Sequence, residues 1–165
     1  MTTPPIAPLR RPSGFTMIEL IMTMVIIGVM AVVALPRLDM LRGFDEAGYR
    51  DKVKATLEYA RKSAVAQRRN VRVALAGNSL TLTIDSDIPE GAAAGTYPRA
   101  LALPVPDRAC GGATNQICAP AGITLAGTAT LTFSALGAPN PAGAYTVTGD
   151  AAHSITVEAE TGYVH

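Results

Sequence analysis

Charge is scarce in this chain. Only 16% of its 165 residues are Asp, Glu, Lys or Arg, against roughly 25% in an ordinary soluble domain. Disorder driven by charge repulsion is therefore excluded. The 14 basic and 13 acidic side chains leave a net charge of +1, which provides no global field for nucleic acid. Histidine is limited to His153 and His165, read as an exposed strand-turn residue and a free tail. Cysteine is limited to Cys110 and Cys118, and two thiolates without a nearby histidine do not complete a zinc shell. The strings G-x-S-x-G, G-x-x-x-x-G-K-[ST] and H-E-x-x-H are all absent. Asp85, Asp87 and Glu90 form a small acidic group, but a cation site needs more ligands in a defined frame, so they are read as a solvated loop. No catalytic residue, metal or cofactor is assigned, and the chain is not read as an enzyme.

What is plentiful is apolar surface. Hydrophobic residues make up 48% of the chain, and the mean hydropathy is +0.25. They are not evenly spread. Phe15 to Leu35 is a 21-residue run with one formal charge, Glu19. As a helix it would be about 30 Å long, the thickness of one hydrocarbon core. Residues 1–14 before it carry Arg10 and Arg11 and no acid, so the N-terminus is expected in the cytoplasm and the rest of the chain across the membrane. A cleaved secretory signal, with Val32 and Ala34 as small residues before the cut, does not suit a run this long that contains a carboxylate. Two adjacent arginines are weak evidence for a twin-arginine signal. An uncleaved single-pass anchor fits the length but leaves Glu19 without a role.

A carboxylate inside a membrane helix costs about 2.5–3.5 kcal/mol on insertion scales, so a partner is expected. The local string is Gly14-Phe15-Thr16-Met17-Ile18-Glu19-Leu20. It resembles the type IV prepilin cleavage motif, a glycine followed by F-T-x-I-E-L. The resemblance implies that a prepilin peptidase cuts between Gly14 and Phe15 and methylates the new Phe15 amine, and that Glu19 is the assembly carboxylate. Cutting there creates an ammonium one helical turn ahead of the carboxylate. Pairing the two, within a chain or between subunits, offsets two desolvation costs and fixes axial register. Pro36 has two readings, a helix kink and the point where the chain leaves the bilayer. Gly28 is weak evidence on its own, and Met17, Met22, Met24 and Met30 are read as adaptable packing surface.

Beyond the run, Val53, Leu57, Ala60 and Ala64 recur at helical spacing, so the helix is expected to continue over 36–69 with an amphipathic face. Gly43 and Gly48 weaken its first turns. From residue 70 the period becomes two. Val71, Val73 and Leu75 alternate, Gly77-Asn78 marks a hairpin, and Leu80, Leu82 and Ile84 alternate again. Short strands are expected at Leu131/Phe133, Tyr145/Val147 and Ile155/Val157, with a closing turn and strand over 161–164 and an irregular strand from Leu101 to Val105. The fold class is α+β: a long N-terminal helix packed on an antiparallel β-sheet domain. The expected divisions are a leader over 1–14, a transmembrane and assembly helix over 15–35, its amphipathic continuation over 36–69, and a periplasmic sheet domain over 70–165. In an oxidising periplasm Cys110 and Cys118 are expected to form a disulfide rather than remain free thiols.

A narrower resemblance lies further along. The segment from Leu57 to Val73, with Ala60-Arg61 and Arg68 at its centre, is similar to the helix-to-strand passage of the GspH/FimT family. So are Phe133 to Gly137, and Ile155-Thr-Val157 with Thr161-Gly162-Tyr163-Val164. That family comprises minor pseudopilins of type II secretion systems and minor type IV pilins. The resemblance implies a single-pass bacterial inner-membrane protein that joins a pseudopilus, with the prepilin peptidase, other pseudopilins or pilins and inner-membrane lipid as partners. Some of the minor pilins bind DNA through arginines in a C-terminal G-R-x-R turn, where this chain has Gly162-Tyr163-Val164-His165. Charge is also divided. Residues 37–72 hold ten basic and five acidic side chains, and residues 73–165 hold two basic and seven acidic. An acidic sheet domain disfavours phosphate contact, so nucleic acid is not expected as a partner. The expected function is a type II secretion pseudopilin, with a minor type IV pilin in pilus assembly or DNA uptake as the alternative.

Overall fold

A computed structural model describes residues 14–86 and 96–165, with the backbone alone for residues 33–44. Residues 1–13 of the expected leader, and Asp87 and Glu90, lie outside the described residues. The chain divides into two units, Met1–Asp39 and Met40–His165.

Helix α1 runs Met17–Gln67. It starts where Thr16 accepts the Glu19 amide on its carbonyl at 3.1 Å and on its hydroxyl at 3.3 Å, so one threonine caps the first turn. In the first unit every described side chain from Phe15 to Val32 is exposed. Among the described residues no helix is long and apolar enough to cross a membrane. The described side chains stop at Val32, three short of the end of the expected 15–35 run. Pro36 falls within the stretch given as helical backbone only, so the expected kink lies outside the described side chains.

In the second unit α1 becomes amphipathic as its spacing predicts. Val53, Leu57, Ala60 and Ala64 are fully buried, joined by Tyr49. The helix stops at Gln67, two residues before the expected 69, because Arg68 turns to φ 50°. Strands β1 (Val71–Ala76) and β2 (Ser79–Ile84) then form the predicted hairpin, in register from Val71 opposite Ile84 to Ala76 opposite Ser79. Gly77 supplies the positive φ, 57°, that the two-residue turn demands.

The other strands are β3 (Arg99–Ala100), β4 (Gln116–Cys118), β5 (Thr124–Gly127), β6 (Thr130–Phe133), β7 (Pro139–Asn140), β8 (Gly143–Thr148) and β9 (Ala152–Val157). They build two antiparallel sheets. One has the order β3-β2-β1-β6-β7 with β4 also on β2, and the other has the order β5-β8-β9. Inward residues alternate as a half-buried sheet requires: Val71, Val73, Leu80, Leu82, Ile84, Leu131 and Phe133 from the first sheet, Leu125, Tyr145, Val147, Ile155 and Val157 from the second. With the helix stripe they form one core.

Several sequence readings are corrected. Leu101–Val105 is not a strand. The register with β2 ends at Ala100, with one more bond from the Leu101 amide to the Leu82 carbonyl; Leu101 and Leu103 then turn inward, and Val105 is exposed beside prolines that lack donors. Asp85 is not in a solvated loop: it is 1% exposed, and its N–H donates to the Asn70 carbonyl as the chain leaves β2. His153 lies within β9 and faces Glu46. His165 is no free tail. Its amide and carbonyl both pair with Thr156, and its ring stacks on Tyr163.

Candidate functional site

The N-terminal segment is built for access. Gly14 to Thr16 precede the helix, and nothing stands within 4 Å of where a Gly14 side chain would begin. Phe15 is 81% exposed, and Glu19 sits in the first helical turn, where the positive end of the helix dipole favours a carboxylate. The apolar side chains that follow, among them Ile18, Leu20, Met24, Ile26 and Met30, are exposed on all sides of the helix. A helix that is apolar all round needs cover. The structure therefore brings Gly14, Phe15 and Glu19 into one accessible stretch. Within the described part of the chain Glu19 bonds through its backbone amide to Thr16.

The cysteines belong to the second unit. Cys110 and Cys118 are joined in a disulfide, with Cα atoms 5.4 Å apart. Cys110 ends a short 3-10 turn (Arg108–Cys110), and Cys118 ends β4. The side chain that organises this region is Asp107, which sequence reasoning missed. Its Oδ1 accepts from Lys52 Nζ at 3.1 Å and from the Ala109 amide at 3.2 Å, and its Oδ2 accepts from the Cys118 amide at 3.0 Å. Burial alone would raise its carboxyl. The Cys118 amide, the Lys52 ammonium and the Ala109 amide together hold it below the usual carboxylate range. An Asp at the N-cap of Asp107-Arg-Ala-Cys110 was the available signal.

Nearby, Tyr59 donates its hydroxyl to the Ala102 carbonyl at 2.7 Å, and Tyr49 donates to the Asn78 carbonyl at 3.3 Å. Burial, and secondarily the Asp107 charge, raises the Tyr49 phenol. The Tyr59 bond ties α1 to the segment after β3, and the Tyr49 bond ties it to the β1–β2 turn. Between α1 and the segment after β3 lies a mainly apolar cleft of about 300 Å³, lined by Ala55, Tyr59, Leu103, Pro104, Val105 and Ile117, with Lys52 and Asp107 also on its wall.

Glu46 is the other residue missed. It is 2% exposed, although it lies on a helix turn with no local motif. Its carboxylate accepts from the amides of Asp150 and Ala151 in the β8–β9 turn, and lies 3.6 Å from His153 Nε2. A carboxylate whose partners lie more than 100 residues away leaves no signature in local sequence. Among the described residues no group of His, Cys, Asp and Glu is placed to hold a metal ion.

Residues 9–35 match the prokaryotic N-terminal methylation motif. No curated protein matches the chain. Solved structures do. The type IV minor pilin FimU of Pseudomonas aeruginosa is similar over 70% of this chain and 82% of its own, at 21% identity and a TM-score of 0.50. The minor pseudopilin EpsH from the type II secretion system of Vibrio cholerae is similar over 73% of this chain and 94% of its own, at 14% identity and a TM-score of 0.55. At these identities the likeness is one of fold. The chain thus carries an N-terminal methylation motif on a helix-and-sheet fold like that of FimU and EpsH.

Proposed function

We propose that the chain is a structural subunit of the GspH/FimT type, and specifically a minor pseudopilin of a type II secretion system. The observation that carries the reading is the meeting of Gly14, Phe15 and Glu19 with an uncovered apolar helix, on a pilin-like domain. In this reading a prepilin peptidase removes residues 1–14 and methylates Phe15. The apolar helix is held first by inner-membrane lipid, in a single pass with the domain in the periplasm. It then packs against the helices of neighbouring subunits. Glu19 neutralises a Phe15 ammonium and sets the axial register, since a misaligned subunit leaves a charge buried without a partner. The domain, held rigid by its disulfide and the Asp107 bonds, supplies the outer surface. Its role is positional, not catalytic.

A minor type IV pilin is the second reading, and the similarity to FimU supports its fold equally. The secretion role is favoured by the C-terminal turn, where Gly162-Tyr163-Val164-His165 carries no arginine, and by the acidic balance of residues 73–165. The deciding experiment is deletion of the gene in its own host. Loss of exported proteins from the medium, with surface pili and transformation intact, is the expected result. Loss of pili or of DNA uptake with normal export overturns it.

A further inference from the structure

A strand edge invites another strand unless something covers or blunts it. The edges of the second unit differ in that respect. β7 is Pro139–Asn140 with Pro141 next, and β3 is two residues long and follows Pro98. On β4 the Cys118 amide is taken by Asp107, and on β5 the Leu125 amide is taken by the Asn78 side chain. β9 closes the second sheet, with β8 on one side only. It contains no proline, and its register with β8 runs without a bulge from Val157 opposite Gly143 to Ala152 opposite Thr148.

In a strand the backbone groups of alternate residues point to the same side. On the outer side of β9, Thr156 exchanges both of its bonds with His165, at 2.8 and 3.0 Å. Just beyond the strand, Glu158 donates to the Tyr163 carbonyl and accepts from the Gly162 amide, both at 2.9 Å. The next residues in the same phase are Ser154 and Ala152. Neither has a backbone partner on this side among the described residues. Both are exposed, and their small side chains leave the main chain open to close approach.

The charge around this edge has one sign. Residues 109–165 contain no Lys or Arg. At the Ala152 end of the free stretch stands exposed Asp150, with exposed Asp45 on the wall of the same pocket. At the other end stand exposed Glu158 and Glu160. Lysine is a common guard against edge pairing, and this edge has none. A second copy of β9 laid along it would line up the same carboxylates, which repel. The complement of this edge is a strand that carries cations.

We propose that the β9 edge at Ala152 and Ser154 takes up, as an added strand, an extended Lys- or Arg-bearing segment of a different protein. The added strand lies in line with Val164 and His165, which already pair with Val157 and Thr156. Its main chain engages the free N–H and C=O groups of Ala152 and Ser154, and its cations meet Asp150 towards one end and Glu158 towards the other. The inference concerns the domain alone. It goes beyond the assembly-subunit reading and does not rest on it.

The test uses the full chain in detergent micelles and two synthetic peptides, Lys-Thr-Val-Thr-Val-Thr-Lys and the same sequence with Glu at both ends. The Lys peptide should slow amide exchange at Ala152 and Ser154 by at least about tenfold, and added salt should weaken the effect. The Glu peptide should leave both amides unchanged. The His153 and Ile155 amides, which face β8, should change little with either. Ser154→Pro removes an N–H that has no partner strand, where an edge tolerates proline. Its urea midpoint should hold while affinity for the Lys peptide falls at least about tenfold. Ser154→Lys keeps the N–H and adds a guarding charge, so it should weaken the Lys peptide even where the proline variant fails to fold. Exchange unchanged by the Lys peptide, or slowed equally by both peptides, overturns the proposal. So does full affinity in Ser154→Lys. Protection of Ala152 and Ser154 that rises with protein concentration, with no peptide present, would show pairing with a second copy and overturn the choice of partner.

Discussion

Lys52 on α1 donates to Asp107 at 3.1 Å across 55 residues of sequence, and the same carboxylate accepts the amide of Cys118. The two bonds join the helix, the turn before β4 and the disulfide through one side chain. Their strengths are unequal. The Lys52 side chain is 43% exposed and the Asp107 side chain only 7%, so solvent screens the lysine far more than it relieves the aspartate.

Replacing each partner should reveal that inequality. Asp107→Ala strands the Cys118 and Ala109 amides without an acceptor and should cost about 1–3 kcal/mol. Lys52→Ala leaves both amides satisfied and should cost about 1 kcal/mol or less. Urea denaturation of the two variants checks the order. Equal losses would mean that the ion pair, and not the amides, is what Asp107 contributes.

The same carboxylate gives a pH dependence with a definite sign. Its folded value lies below its unfolded value, which is about 3.9. The associated stability is therefore fully present above that pH and is lost as pH falls through the folded value. Urea midpoints measured at pH 7 and at pH 3 should fall further in the parent protein than in Asp107→Asn. Parallel acid limbs would show that Asp107 does not titrate differently in the two states.

How much of this was legible in sequence depended on how local the information was. The Gly77-Asn78 hairpin was legible because its turn residues and both alternating strands are contiguous, and its full register followed. The helix face was legible for the same reason, from Val53 to Ala64. β4 and β5 were not, since each has only three or four residues in a Pro/Gly-rich stretch and owes its conformation to distant partners, β2 and β8. Glu46 was not, because the amides that meet it lie more than 100 residues away, and for Asp107 the local signal was its N-cap position alone. The N-terminal methylation motif was legible because it is contiguous in sequence, over residues 9–35.

Removing the disulfide should loosen one region before it unfolds the whole. In the loop-entropy model a bridge spanning eight residues contributes about 2–3 kcal/mol. Cys110→Ser with Cys118→Ser should lose that much. It should also speed hydrogen exchange at the Ile117 and Cys118 amides more than at β8 or β9. Uniform acceleration across the domain would show that the bridge only shifts global stability. Alkylatable thiols in the parent protein would remove the premise.

Tyr145 makes the opposite prediction. Its side chain is 1% exposed, and its hydroxyl meets no partner among the described residues. Burial pushes the phenol up to about 12. Tyr145→Phe removes an uncompensated polar group while keeping the ring, and should be neutral or stabilising by up to about 1 kcal/mol. The parent should also lose stability as pH rises from about 10 towards 12, because the unfolded phenol ionises first. The variant should lose less over that range. A destabilised variant would reveal a bond to ordered water.

If the chain is the assembly subunit proposed above, Glu19 should separate processing from assembly. The carboxylate lies one helical turn beyond the Gly14–Phe15 bond, and the capping bonds of this residue are made by its backbone amide, which donates to Thr16. Glu19→Ala therefore leaves the helix start intact, with Thr16 still capping it. The leader should still be removed and Phe15 still methylated, as mass spectrometry of the mature N-terminus would show. Incorporation into filaments should fall by at least about tenfold, since a buried ammonium without its carboxylate costs more than about 1.4 kcal/mol. Glu19→Gln should behave like the alanine variant, because the amide restores shape without charge. Normal incorporation of the glutamine variant would show that shape or hydrogen bonding, and not charge, sets the register. Accumulation of unprocessed precursor would place Glu19 in peptidase recognition instead.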